Sequence, residues 1–278
     1  MKHHFNIENE AHPTTCIWYP KGDIKEDLLL TVNDDYKMKL WNPKTQNSRR
    51  TCLGPTYGGE IKSLSLLQIP NTNGIAEPDN YLIYSTGKKV VGLIKLPLDG
   101  NPHKTMGLVS HPGDVTDICA SADGKYIFTC GGDDLAVNMW SVDVTPINEE
   151  IELYGGDTTE PFVNLIEGGR EGQTYQDMND FFVYAMIRSM KEDTTKTRKL
   201  EGTVPVDQLP NLMRAMGYYP TEMEVKNMID EVRYSVLTEE GQHKSHITRE
   251  DFIKLFVNHR PVYGIGKNNI IEAFQALV

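Results

Sequence analysis

The hydrophobic pattern changes its period near the middle of the chain. In the first half, apolar and polar residues alternate in short runs such as "LLLTVN", "KMKLW", "YLIYST", "VVGLIKL" and "AVNMW". A period of two, closed off by Gly, Asn and Asp, predicts half-buried strands joined in hairpins. In the second half the spacing lengthens to three and four. "PVDQLPNLMRAMG" puts Leu209, Leu212, Met213 and Met216 on one helix face, with Gly217 as the stop. Thr221-x-x-Glu224 forms a capping box ahead of a stripe of Val225, Met228, Ile229 and Val232. Thr174-x-x-Asp177 gives a similar start for "MNDFFVYAMIRSMK", and "ITREDFIKLF" and "NNIIEAFQAL" predict two more helices. Between the halves, Pro146, Gly155, Gly156, Pro161, Gly168, Gly169 and Gly172 interrupt any long element, which predicts an irregular tether. Three segments result: strands over 1–145, a linker over 146–173 and helices over 174–278.

The strand half repeats. "AHPTTCIWYPKGDIKEDLLLTVNDDYKMKLW" ends at Trp41 and "SHPGDVTDICASADGKYIFTCGGDDLAVNMW" ends at Trp140. His-Pro opens each unit, at His12 and His111, and each His precedes its Trp by 29 positions. An Asp-Asp pair, Asp34-Asp35 or Asp133-Asp134, sits just before the strand that carries the Trp. This resembles the WD-repeat blade, a four-stranded antiparallel sheet. The resemblance implies that His12, Asp35, Trp41, His111, Asp134 and Trp140 hold blades together and perform no catalysis. A weaker unit lies between them, with "GEIKSLSLLQIP" and "YLIYSTGKKVVGLIKLPLDG" as strands, Gly-Lys-Lys as a turn and "IPNTNGIAEPDN" as a surface insertion. About three blades are fewer than the four to eight that usually close a propeller. The strand half is therefore expected to be part of a longer ring.

The helical half resembles a calmodulin-like EF-hand pair that has lost its metal. An EF-hand loop has Gly at position 6, an aliphatic at position 8 and Glu at position 12. In the first loop Gly202 and Val204 take positions 6 and 8, whereas positions 1, 3, 5 and 12 are Thr197, Lys199, Glu201 and Gln208. In the second, Ile247 takes position 8, and positions 1, 3, 5, 6 and 12 are Glu240, Gln242, Lys244, Ser245 and Asp251. Calcium takes six to eight oxygens, several of them charged. Neither loop supplies them, so no metal and no other cofactor is expected. Val204 and Ile247 are still expected to pair as the short bridge that couples two EF-hands. Seven of the 11 methionines lie in this half. Met213, Met216 and Met228, with Phe252 and Phe256, are the candidate groove for an amphipathic partner helix; filling of the helical core is the competing reading.

Charge sharpens the choice of partner. The net charge is −11, from 14 basic and 17 acidic groups over residues 1–145 and 14 and 22 over residues 146–278. An acidic second half disfavours nucleic acid and anionic membrane and favours a basic protein segment. No apolar run approaches the roughly 20 residues of a membrane span, and "MKHHFNIENE" has no apolar stretch of the signal-peptide kind. Cys16, Cys52, Cys119 and Cys130 form no CxxC pair and read as buried, reduced thiols. A Cys119–Cys130 disulfide on neighbouring strands is the weaker alternative. "YGIGK" lacks the spacing of a phosphate loop, and His243-x-x-His246 has no third ligand nearby in sequence. No hydrolase or metalloprotease motif is present.

The order of the two halves is more specific than either alone. "HPGDVTDICASADGKYIFTCGGDDLAVNMWSVDVTP" followed by "PFVNLIEGGREGQTYQDMNDFFVYAMIRSM" resembles the C-terminal part of one family. That family is the WD-repeat cilia- and flagella-associated protein of the calmodulin- and spoke-associated complex. The resemblance implies a partial WD-repeat propeller followed by a degenerate EF-hand domain. It also implies a non-enzymatic scaffold at the base of radial spokes, in the axoneme of motile cilia and sperm flagella. The implied partners are radial spoke subunits, other subunits of the complex, calmodulin and the doublet microtubule. A calcium-responsive adaptor that regulates the spoke or dynein is the alternative.

Overall fold

A computed structural model describes residues 11–20, 26–69, 79–155, 158–190, 202–234, 243–262 and 274–275. Most of the fifth expected helix, most of the insertion before Asn80, the "YGIGK" turn and the loop residues Thr197, Lys199, Glu201, Glu240 and Gln242 lie outside them.

The strand half builds three antiparallel sheets in chain order. The first contains β1 (Pro13–Trp18), β2 (Leu29–Asn33), β3 (Lys37–Asn42) and β4 (Asn47–Leu53). The second contains β5 (Ile61–Ile69), β6 (Asp79–Thr86), β7 (Val90–Lys95) and β8 (Thr105–Val109). The third has three strands, β9 (Val115–Ala120), β10 (Tyr126–Gly131) and β11 (Val137–Ser141). The opening strands β1, β5 and β9 lie next to one another, so the sheets stand around a common inner edge. Side chains alternate along each strand, so each sheet can bury a face against its neighbour. Leu30, Val32, Met38 and Leu40 pack with Leu82, Tyr84, Val90 and Ile94 between the first and second sheets. Leu67, Tyr81, Ile83 and Leu93 pack with Val115, Ile118 and Ile127 between the second and third. The weaker middle repeat is thus a full sheet, with its hairpin at the Gly-Lys-Lys turn, where Lys89 takes a left-handed φ of 63°.

The linker is more ordered than its Gly and Pro content predicts. It contains α1 (Thr145–Tyr154) and α2 (Glu160–Val163). Pro146 and Pro161 do not break these helices because each stands in the first turn, where its missing N–H has no partner to lose. Ile147 and Ile151 of α1 pack on the core between the second and third sheets. Phe162, Val163 and Ile166 join the helical core instead. The linker is therefore divided between the two halves and packs on both.

Four helices follow: α3 (Gln173–Ser189), α4 (Leu209–Ala215), α5 (Glu222–Tyr234) and α6 (Arg249–His259). Two short strands, β12 (Thr203–Pro205) and β13 (His246–Thr248), pair antiparallel with Val204 opposite Ile247, as the sequence predicts. Gly217 stops α4 with φ +82°, and Tyr218 N–H bonds to Met213 O at 3.0 Å. The Thr221–Glu224 capping box is present in both directions, at 2.7 Å and 3.3 Å. Thr174 does not cap α3. That helix starts two residues earlier, after Gly172, and Asp177 bonds the Gln173 side chain instead. Among the described residues, no helix is long and apolar enough to cross a membrane.

Candidate functional site

The two repeated motifs fold differently. In the third sheet a buried chain of polar groups runs across the strands. Trp140 Nε1 donates to Thr129 Oγ1 (3.0 Å), Thr129 Oγ1 lies 2.7 Å from His111 Nε2, and His111 Nδ1 lies 2.8 Å from Asp134 Oδ2. The hydrogen bond from His111, with help from the Ala136 N–H, holds the Asp134 carboxyl below the usual range. In the first sheet Trp41 Nε1 reaches Thr31 Oγ1 at 3.0 Å, but His12 turns away to Asp34 at 3.0 Å. Asp35 keeps only the turn, where it accepts the Lys37 N–H at 3.0 Å.

Gly131 accounts for the difference. A Cβ there would stand 1.9 Å from Asp134 Oδ1 and 2.5 Å from His111 Nδ1, so the network closes only over a glycine. Counted from the buried threonine, the corresponding residue in the first sheet is Asn33. The path from Thr31 to Trp41 is also one residue shorter than that from Thr129 to Trp140. The sequence motif named the His, Asp and Trp positions but missed Thr31 and Thr129. Their signal was a threonine on the strand before each Asp-Asp turn. In both sheets the groups bond one another, an arrangement that ties neighbouring strands and turns together.

Each loop is described only in its second half, from Gly202 and from His243 onward. Gly202 has the expected left-handed φ of +72°. Gln208 sits at the end of a short 3-10 turn and contacts Asn211 at 3.4 Å. In the second loop the Lys244 ammonium lies 2.6 Å from Asp251 Oδ2, which puts a built-in cation on the carboxylate at position 12. Asp251 also sits in the first turn of α6, where Thr248 caps its N–H at 3.2 Å. His243 stacks edge-on against Tyr234, and His246 contacts Ser245. Among the described residues, no three His, Cys, Asp or Glu side chains converge as a metal site requires.

The groove residues are placed in the interior. Met213 and Phe252 are fully buried, Met228 and Phe256 nearly so, and Met216 is packed against the same core. The core-filling reading therefore describes these side chains in this conformation. Exposed apolar surface lies elsewhere, at Val183, Tyr184 and Ile187 on α3 and at Val137 and Met139 on β11. Sequence reading missed both patches, because periodicity marks which residues are apolar and not which face stays uncovered. The cysteines also differ from expectation. Only Cys52 is fully buried, and burial pushes its thiol strongly up. Cys119 faces Phe128 across the ladder while Cys130 faces Asp117, so the two are diagonal neighbours and both are free.

The halves meet along β4, the outer strand of the first sheet. An outer strand presents every second N–H to its surroundings. Here those groups are taken by helix side chains: Thr51 N–H donates to Glu231 Oε2 (2.9 Å) and Leu53 N–H to Asn258 Oδ1 (3.0 Å). The same Glu231 oxygen lies 2.8 Å from His259 Nε2. Asn258 Nδ2 donates to Asp99 O at 3.2 Å, so one buried amide ties α6 to the first and second sheets. Arg49 lies over the Tyr234 ring at 5.0 Å. Two cavities flank the seam. One, of about 350 Å³, is lined by Met38, Leu53, Tyr57, Tyr84 and Leu98, among others. The other, of about 290 Å³, lies between Arg50 and the second loop, beside Lys244 and Asp251.

Residues 173–278 match the CFAP251 C-terminal domain, and residues 100–141 match the WD domain, G-beta repeat. The chain is 48% identical over its full length to cilia- and flagella-associated protein 251 of Tetrahymena thermophila, and covers 28% of that protein. It is 40% identical, over 96% of its length, to the protein of the same name from Mus musculus, and covers 20% of it. The chain thus spans less than a third of the length of these curated relatives. Among solved structures, 49% of the chain aligns with 27% of a chain from an active polycomb repressive complex 2 in the basal state, at 17% identity and a TM-score of 0.39.

Proposed function

We propose that the chain is the C-terminal part of a cilia- and flagella-associated protein and acts as a non-enzymatic scaffold of the axoneme. The observation that carries this reading is the 48% identity to the Tetrahymena relative across the whole chain, both halves included. In this reading the three sheets are consecutive blades of a longer WD-repeat propeller, and the helical half is an EF-hand pair that no longer uses metal. The scaffold anchors radial spokes on doublet microtubules and so supports ciliary and flagellar beating. Its partners are spoke subunits and other subunits of a calmodulin- and spoke-associated complex. The hydrogen bonds along β4 support a holding role, since they join the helices to the first sheet. The exposed apolar patches on α3 and β11 supply surface for partners.

The test is a ciliated cell in which this region is deleted from the full-length protein. Loss of one class of radial spoke in axoneme tomograms, with weakened beating, is expected. Normal spokes in an axoneme that lacks the region would overturn the reading. The calcium-responsive alternative is tested separately, by calcium titration calorimetry of the full chain with magnesium present. No heat is expected, because Lys244 already holds Asp251. A micromolar site would establish the alternative.

A further inference from the structure

The seam contains a buried amine that the reading above does not use. Lys37 opens β3 and is 4% exposed. Its Nζ lies 2.5 Å from Asn258 O and 2.7 Å from Arg260 O. These carbonyls belong to the end of α6, where helix C=O groups have no intrahelical partner and carry partial negative charge. Among the described residues, no carboxylate is hydrogen-bonded to this amine. Asp35, on the preceding turn, uses Oδ1 for the Lys37 backbone N–H. The other groups that face Lys37 are Lys39 on its own strand, the Cys52 thiol on β4 and Arg260 beyond α6. Glu231 of α5 is occupied by Thr51 N–H and His259. Two cations and one carboxylate that makes no hydrogen bond to the amine leave a buried ammonium poorly compensated, and such a group sheds its proton at little cost in hydrogen bonding. The neutral amine still has an N–H for each of its two carbonyls.

We propose that Lys37 makes the docking of the helical half on the first sheet proton-sensitive: the seam is held with Lys37 as a neutral amine and loosens when that amine is protonated. The seam is of a kind that can open, because each side keeps its own core, with Leu53 of β4 packed across onto the helical one, and the hydrogen bonds across it are those of Lys37, Thr51 and Leu53 described above. Desolvation brings the amine down from 10.5 to about 7, against the opposing pull of Asp35. The docked value lies below that of a free lysine, so the docked state binds fewer protons. Docking then tightens as pH rises from about 7 toward 10.5, by about fivefold between pH 7 and 8. Below about pH 7 both states carry the proton, and the change from pH 6 to 7 is less than about twofold. His259 Nε2 lies 2.8 Å from Glu231 Oε2 in the same seam, and a His259→Gln background separates its contribution.

The experiment follows amide exchange of the full chain at Thr51 and Leu53, whose acceptors lie across the seam. Rates are corrected for intrinsic exchange and compared with amides of the β9–β10 ladder. The expected result is about fivefold more protection at pH 8 than at pH 7 for these two amides alone. Lys37→Met should abolish that slope, and Lys37→Arg should abolish it at a lower level of protection. The same slope in Lys37→Met as in the parent chain would overturn the proposal. If the variants do not fold, an NMR titration of the Lys37 side chain in the parent chain decides. A midpoint near 7 supports the latch, and one above about 9 overturns it.

Discussion

The first and third sheets carry the same His, Asp-Asp and Trp spacing and are stabilised in opposite ways. The third buries its motif. The His111 side chain is 0% exposed and links Asp134 to Thr129 and Trp140, while the outer strand β11 pairs with β10 alone among the described strands. The first leaves His12 87% exposed, but its outer strand β4 is covered by α5 and α6. One sheet is held from within and the other from outside. A shared sequence motif therefore does not imply a shared energetic role. What decides is whether the local turn lets the histidine in and whether another element covers the edge.

The largest expected break in this contrast is Asn258→Ala. It removes the acceptor of Leu53 N–H and the donor to Asp99 O, and should cost about 3 kcal/mol. Urea unfolding followed by circular dichroism would report it, with exchange protection lost first at Thr51 and Leu53. A cost under half that figure would mean the first sheet does not depend on the helices. Next, His111→Ala should cost about 2 kcal/mol, because it strands Thr129 and Trp140 in a buried site. His12→Ala should cost no more than about 0.5 kcal/mol, as exposed pairs do. Similar losses at both positions would erase the contrast. Gly131→Ala should match His111→Ala, at about 2 kcal/mol, and add little to it in the double variant. The smallest effect is expected from Met139→Lys on the open face of the third sheet, within about 0.5 kcal/mol in this chain. A large loss there would show that this face is covered.

Local chemistry was legible in the sequence and long-range chemistry was not. The alternation around the Asp-Asp turns, the stop at Gly217, the Thr221–Glu224 box and the Val204–Ile247 pairing each depend on neighbours or on short periods. The partner of His12 was not legible, because Asp34 and Asp35 are the same residue type, and the turn length and Asn33 select between them. The seam was not legible either. Lys37 and Asn258 are 221 positions apart, and neither belongs to a pattern that sequence period reveals. The methionines looked equally suited to a groove or a core, since the stripe that fills an interior is the stripe that would line a groove. The linker misled for a simpler reason: prolines in a first helical turn count as helix starts, not breaks.

Gly100 takes a left-handed φ of +81°, and a Cβ on it would stand 2.1 Å from Asn258 Oδ1. The loop after β7 and the end of α6, distant in sequence, are thus fitted to each other at one side-chain amide. Their substitutions should be epistatic. Gly100→Ala alone pushes the amide off Leu53 and strains the backbone, whereas after Asn258→Ala only the backbone strain remains. A chain that changes one of these positions gains freedom to change the other, so the two sites should drift together or stay fixed together.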